Sequence, residues 1–478
     1  MLLDAHLSHY CDLTTANIFE ISPNELLSLK RIDIYWKIAL LEAWDSNNAE
    51  LIEIAQKEYL LSIEAFTLGT FNEFGSTSKN NPAKYIEEFR QLFVSIKSDG
   101  FNGNRSLVPV DRDLTPINGA HRIACCYYLG IPIRVVTIDK HPQIDYSIKF
   151  FEQRGVPKSL LIKGLKKHFL TVQRGYFGIV WPVKRHETLK LIKSKSVPFA
   201  YINFDISLHG IKNLVSSVYH DEYWVRRGLL NDLMEIDHKS NSVYGVDDSK
   251  MSMVYFDIEQ SSEINSFKSE IRATFNNAKH CIHIADNSNE NRDLLRVFQS
   301  EDCIKLLSAI NPKRLAKFYK KISCLKNDET FWISGSALPY LLGGRMPNDV
   351  DIISKGESDK PDDHFFEISK YLPYINERKK INGYDNHFIA GFNFIDLKII
   401  RELKIARAEP KDKIDLEVIR KFFTGSKPQR VTLIIQKALT VQSRFRIRFR
   451  QHVSVGLDKI GLLAFAKKTR DKIGGRPK

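Results

Sequence analysis

No stretch of this 478-residue chain reaches the ~18 consecutive apolar residues that a membrane-crossing helix needs. The opening MLLDAHLSHYCDL places Asp4 and His6 where a secretory leader carries a basic and then an apolar segment. Neither secretion nor a membrane span is therefore expected, and the predicted compartment is the cytoplasm. The six cysteines, Cys11, Cys125, Cys126, Cys281, Cys303 and Cys324, form no Cys-x-x-Cys and no His-paired zinc spacing. That argues against a zinc site and predicts reduced, mostly buried thiols. No Gly-rich dinucleotide fingerprint is present, and neither a repeat of roughly 20–50 residues nor a low-complexity segment interrupts the chain.

What the chain does have is length, apolar content and unevenly placed charge. Its size predicts two to four domains with ample apolar side chains for real cores. The net charge is +14, yet residues 426–478 hold fourteen Lys or Arg against the two acids Asp458 and Asp471. The body is thus nearly neutral and the tail strongly basic.

Chemistry concentrates in residues 331–353, FWISGSALPYLLGGRMPNDVDII. Phe331, Trp332 and Ile333 are β-formers leading into Ser334-Gly335-Ser336, residues 337–342 read as a short helix closed by Gly343-Gly344, and a second strand begins at Asp349. Along that strand the period of two sends Asp349 and Asp351 to one face, where two carboxylates repel unless a cation joins them. Mg²⁺ prefers oxygen ligands shared with substrate phosphates, which suits a DxD strand end facing a Gly-Ser turn. Residues 392–400, FNFIDLKII, read as a buried strand whose one acid, Asp396, needs a cation or a partner. A Gly-Ser turn or a DxD alone is common in solvated loops; their order on strands is what groups them.

This order, Gly-Ser, then Asp-x-Asp, then a lone Asp on a later strand, resembles the polymerase-β-like nucleotidyltransferase superfamily over about residues 305–420. The resemblance implies two Mg²⁺ ions held by Asp349, Asp351 and Asp396, with Asp396 helping to deprotonate an acceptor hydroxyl. It places Gly335 and Ser336 against the phosphates of a nucleoside triphosphate or CDP-alcohol donor, with Arg345 neutralising their charge. Residues 408–416, AEPKDKIDL, resemble the Lys-Asp-x-x-Asp segment that follows the core in small members of that group.

Residues 1–100 read as helical, with periodic stretches at 32–44, 49–64 and 83–96. Residues 106–136 follow a strand–turn–helix–strand cadence: strand 107–110, turn at Asn118-Gly119, helix 121–129 ended by Gly130, strand 131–136. This segment resembles the ParB/sulfiredoxin fold, whose members carry Gly-x-His-Arg at this helix start, here Asn118-Gly119-Ala120-His121-Arg122. Free N–H groups at the helix start and the Arg122 fork suit a phosphate or nucleotide, with Asp111 and Asp113 as possible acids; otherwise His121 packs locally and the fold is a scaffold. Similar segments resemble proteins of bacterial capsule and lipopolysaccharide assembly, and the LicD and fukutin group of the transferase superfamily moves phosphorylated alcohols onto surface glycans.

Residues 145–170 read as a basic helical connector. In the middle region, 178–183, 200–206, 253–258 and 280–286 read as strands and 263–275 and 289–298 as helices. His283, Asp286 and Glu290, or Asp205 and His209, sit at strand ends where a substrate site or a mere cap is expected. In the tail, an apolar helix at 431–441 precedes SRFRIRFR at 443–450 and a basic amphipathic stretch at 457–473. Aliphatic residues between Lys and Arg suit an anionic membrane surface; the same charge suits nucleic acid.

The expected class is α/β (α+β) and multidomain: a helical segment plus ParB/sulfiredoxin-like domain at 1–155, a middle α/β region at 156–300, a nucleotidyltransferase-fold domain at 301–425 and a basic amphipathic tail at 426–478. The expected function is Mg²⁺-dependent nucleotidyl or phospho-alcohol transfer to a glycan or lipid-linked acceptor in surface polysaccharide synthesis, peripheral to the inner membrane. The alternatives are a nucleic-acid-binding or defence protein with a transferase domain, and an inactive assembly scaffold.

Overall fold

The computed structural model describes Leu3, Leu7 and residues 10–72, 79–139, 144–245, 249–275, 280–299, 301–325, 331–354, 365–367 and 386–425. The tail readings at 431–441, 443–450 and 457–473 lie outside the described residues. What is described mixes helices with three small sheets. None of the described helices is long and apolar enough to cross a membrane.

The first sheet has three strands, β1 (Ile18–Ile21), β2 (Val108–Val110) and β3 (Ile133–Thr137), in the order β1-β3-β2. β2 and β3 are parallel and joined through helix Ala120–Leu129, which Gly119 opens and Gly130 closes, both in the left-handed region. That is the cadence read from residues 106–136. β1 corrects the all-helical reading of residues 1–100: four residues are too few to display a period, and pairing with β3 makes them a strand. Helix Asp33–Asp45 carries apolar side chains around most of its circumference and buries Ile34, Tyr35, Trp36, Ile38, Leu40 and Leu41, so it runs through the core with Glu42 and Asp45 exposed.

Helix Lys158–Val172 joins this part to the second sheet. Trp36 Nε1 donates to Leu160 O at 3.2 Å, and Tyr35 Oη lies 2.6 Å from His168 Nδ1, whose other nitrogen is 3.4 Å from Asp257. The second sheet, β4 (Tyr176–Val180), β5 (Phe199–Asp205), β6 (Lys250–Phe256) and β7 (Ile282–Ile284), runs β5-β6-β4-β7 and is antiparallel throughout. The strand-end rule applied to His283, Asp286, Asp205 and His209 belongs to parallel sheets, so the sheet itself does not mark these residues as a site.

The third sheet has five strands, β8 (Phe331–Ile333), β9 (Val350–Ser354), β10 (Phe365–Glu367), β11 (Asn386–Ile389) and β12 (Phe392–Ile395), ordered β10-β9-β8-β12-β11. β8 is antiparallel to β9 and parallel to β12. β11 and β12 form a hairpin turning at Ala390-Gly391, both at positive φ, as a two-residue turn between twisted strands requires. Two boundaries differ from the sequence reading. The second strand starts at Val350, leaving Asp349 just outside it, and the strand read across 392–400 stops at Ile395. The reason for the stop is Asp396, whose side chain accepts the Lys398 N–H at 2.6 Å and so starts helix Leu397–Arg407.

A contiguous apolar core spans all three parts, from Ile21 through Ile179 to Ile419. Helix Leu208–Val218 fastens the second part to the third: Asn213 Nδ2 donates to Leu307 O and Ile310 O at 2.8 and 2.9 Å, and Ser217 Oγ accepts the Ala390 N–H at 3.0 Å.

Candidate functional site

Three adjacent strands of the third sheet bring the expected acids to one end. Ser334 N donates to Asp351 O at 2.8 Å, which places Asp351 beside the turn that follows β8. Phe394 pairs with Ile333, so Asp396 and Gly335 each lie two residues beyond a paired position on parallel strands. Gly335 has φ +62°, and a β-carbon on it would lie 1.7 Å from Asp351 Oδ2. A side chain is therefore excluded twice, by backbone conformation and by the carboxylate lying against it. Asp349 is exposed just before β9. Burial raises the Asp351 carboxyl above its ordinary range and Asp349 adds to the rise, against the pull of Arg407 and Lys404. A half-buried carboxylate pushed upward beside a second acid fits a cation seat.

Ser336 and Arg345 occupy a different environment from the phosphate-facing one implied by resemblance. Ser336 Oγ donates to Asp415 Oδ2 at 2.7 Å, and Arg345 donates to Ser336 Oγ at 2.8 Å and to Asp415 at 3.2 Å. Lys404, fully buried, reaches Asp415 at 2.7 Å, Asp412 at 3.1 Å and Ser336 at 3.2 Å. Arg407 closes the group with paired bonds to Asp412 at 2.9 and 2.6 Å. Burial favours a neutral Asp412, but Arg407 and Lys404 outweigh it and hold the carboxyl down at about 2. Residues 408–416 thus supply a buried ionic clamp on the Gly335-Ser336 turn.

Asp396 has partners of its own. His387 Nε2 lies 3.3 Å from Asp396 Oδ2, and His387 Nδ1 lies 3.3 Å from Cys303 Sγ, all three residues buried. Burial opposes charge on His387, yet Cys303 and Asp396 together raise the imidazole to about 10. The cation or partner that Asp396 needs is thus met by His387, whose imidazole is drawn toward its charged form.

At the first sheet, the side chains of the Asn118-Gly119-Ala120-His121-Arg122 turn bind inward. His121 Nε2 is 2.8 Å from Tyr59 Oη and packs edge-on against Phe89, and burial with Lys37 nearby keeps the ring neutral. Arg122 donates to Leu107 O at 3.0 Å and to Ser106, and Asn118 Oδ1 accepts the Gly119 N–H at 2.6 Å. Asp111 accepts the N–H groups of Asp113 and Thr115 at 2.9 and 2.7 Å as a turn former, and Asp113 lies 3.8 Å from Lys30.

The middle region holds a cavity of about 490 Å³ lined by His283, Asp286 and Glu290, three residues singled out by sequence. Asp205 and His209 are not among its lining residues. His220, Asp293, Lys268 and Arg272 also line it and were not singled out. The overlooked signal was the His220-Asp221-Glu222 run just beyond helix Leu208–Val218 and the Asn289-Glu290-Asn291-Arg292-Asp293 run in helix Ser288–Val297.

No protein-family model, no curated protein and no solved structure matches the chain.

Proposed function

We propose that the chain is a Mg²⁺-dependent nucleotidyl- or phospho-alcohol transferase whose site is the end of β9, β8 and β12. The observation that carries this reading is the Asp351 carboxylate against the side-chain-free Gly335, with Asp349 exposed beside it. Asp349 and Asp351 would hold a cation, and such a cation supplies charge neutralisation of the donor phosphates. Gly335, having no side chain, lets the Asp351 carboxylate lie against the turn. Asp396, paired with His387, would itself take up the proton of an acceptor hydroxyl. The Lys404, Asp412, Asp415 and Arg345 group holds Ser336 in place and does not itself need to touch substrate. With the resemblance to capsule and lipopolysaccharide proteins, the acceptor is a glycan or lipid-linked glycan, and the basic tail at 426–478 would meet an anionic membrane.

A thermal-shift panel of ATP, CTP, GTP, UTP and CDP-alcohols with and without Mg²⁺, on wild type and Asp351→Asn, tests the reading. A Mg²⁺-dependent shift with one donor, lost in a folded Asp351→Asn, is expected. If a folded Asp351→Asn keeps the shift, or no donor stabilises wild type, the transferase reading fails, and a nucleic-acid or scaffold role takes its place.

A further inference from the structure

The cavity of the middle region lies between helices Leu208–Val218, Ser261–Thr274 and Ser288–Val297 and is lined by charged side chains of both signs. On one wall, His220 Nε2 is 3.0 Å from Asp293 Oδ2 and His220 Nδ1 is 3.5 Å from Asp221 Oδ1. One ligand atom from each of His220, Asp221 and Asp293 lies within 4.8 Å of the others. His220 is buried and further fixed edge-on against Phe388, while Asp293 also accepts from Arg296 at 3.0 Å. The Asp221 side chain is 64 % exposed at the cavity rim.

Elsewhere in the lining, where Lys268 pairs with Asp286, hydrogen-bonding capacity is unmet. His283 is 7 % exposed, lines the cavity, and its Nε2 has no partner among the described residues. The Nε of Arg272, also lining the cavity, is buried without a partner among the described residues. A buried polar atom left without a partner costs about 1–3 kcal/mol. The His220, Asp221 and Asp293 group calls for a cation, and the unmet nitrogens of Arg272 and His283 suit the oxygens of an anion.

We propose that this cavity is a second ligand site, in which His220, Asp221 and Asp293 hold a divalent transition-metal ion and Arg272 and His283 receive a small oxyanion carried by that ion. One imidazole nitrogen with two carboxylate oxygens selects an ion of the zinc, cobalt or manganese type over Mg²⁺ or Ca²⁺, which favour all-oxygen sets. Three protein ligands leave a coordination position for the anion.

The test is Co²⁺ binding to the full chain in an Asp351→Asn background, which removes the cation seat proposed for the third sheet and separates the two readings. Equilibrium dialysis should give one bound Co²⁺ with visible absorption of nitrogen–oxygen coordination. Asp221→Asn, an exposed change that does not threaten folding, should weaken it tenfold or more, and His220→Gln should abolish it. Inorganic phosphate should raise Tm only with Co²⁺ present, and Arg272→Gln should remove that rise. Unchanged Co²⁺ binding in Asp221→Asn overturns the metal site. A phosphate response absent from the Co²⁺-loaded protein, or equal in Arg272→Gln, overturns the anion assignment.

Discussion

The carboxylate of Asp351 lies so close to Gly335 that a β-carbon there would fall 1.7 Å from Oδ2, in a residue whose φ of +62° already favours glycine. A DxD strand and a Gly-Ser turn that are only near in sequence become one surface through this contact.

Gly335→Ala should therefore act on the site before it acts on the fold. The left-handed backbone costs an L-residue about 1–2 kcal/mol, and the methyl must displace Asp351. The expected result is a folded protein with a modestly lower Tm that loses Mg²⁺-dependent donor stabilisation. Donor binding equal to wild type would show that Asp351 and the turn do not act together.

Lys404→Met removes the positive centre between Asp412 and Asp415 while keeping side-chain length. Arg407 and Arg345 still reach those acids, but Lys404 is the buried one of the three cations. Leaving buried carboxylates short of a partner costs about 3–5 kcal/mol, to be read from urea unfolding. A loss under about 1 kcal/mol would mean the two arginines suffice.

His387 should remain an imidazolium through pH 8. Its folded value, raised to about 10, lies above the unfolded one, so its contribution to stability is complete below the unfolded value and fades as pH rises toward 10. NMR of histidine-labelled protein, assigned with His387→Gln, checks this, and Asp396→Asn should lower the titration. A His387 titrating at its ordinary value in wild type would remove the counter-ion assigned to Asp396.

Acid should destabilise the protein as pH falls from about 4 toward 2. Asp257 and Asp412 each hold at about 2, against burial that would raise them, through His168 and Arg174 for the first and Arg407 and Lys404 for the second. Depressed carboxyls stabilise above the unfolded value, and that stability is lost as they take up protons. The urea midpoint should drop over this window, and Asp257→Asn, weaker at neutral pH, should drop less steeply. Parallel curves for the two proteins would assign the acid loss elsewhere.

Sequence alone determined what depends on a few neighbouring residues. The turn at Asn118-Gly119, the Gly130 stop, the short helix closed by Gly343 and the strands around Phe331 and Val350 follow from φ preference, capping and a period of two. It also set the Asp-x-Asp strand end facing the Gly-Ser turn, because the two flank one short-helix connection between β8 and β9. Sequence could not show which partner meets each charge. Asp396 read as an acid in need of a cation or a partner, and the partner proved to be His387, brought beside it by the β11–β12 hairpin and itself contacted by Cys303 from a separate helix. Ser336 read as a phosphate ligand, and the chain folds Lys404 and Asp415 onto it from two later helices. His220 and Asp293, 73 positions apart, meet only where helix Ser288–Val297 packs against helix Leu208–Val218. Local periodicity is set by backbone geometry over one or two turns, whereas the neutralisation of a buried charge is set by strand order, register and helix packing, and these exist only in the folded chain.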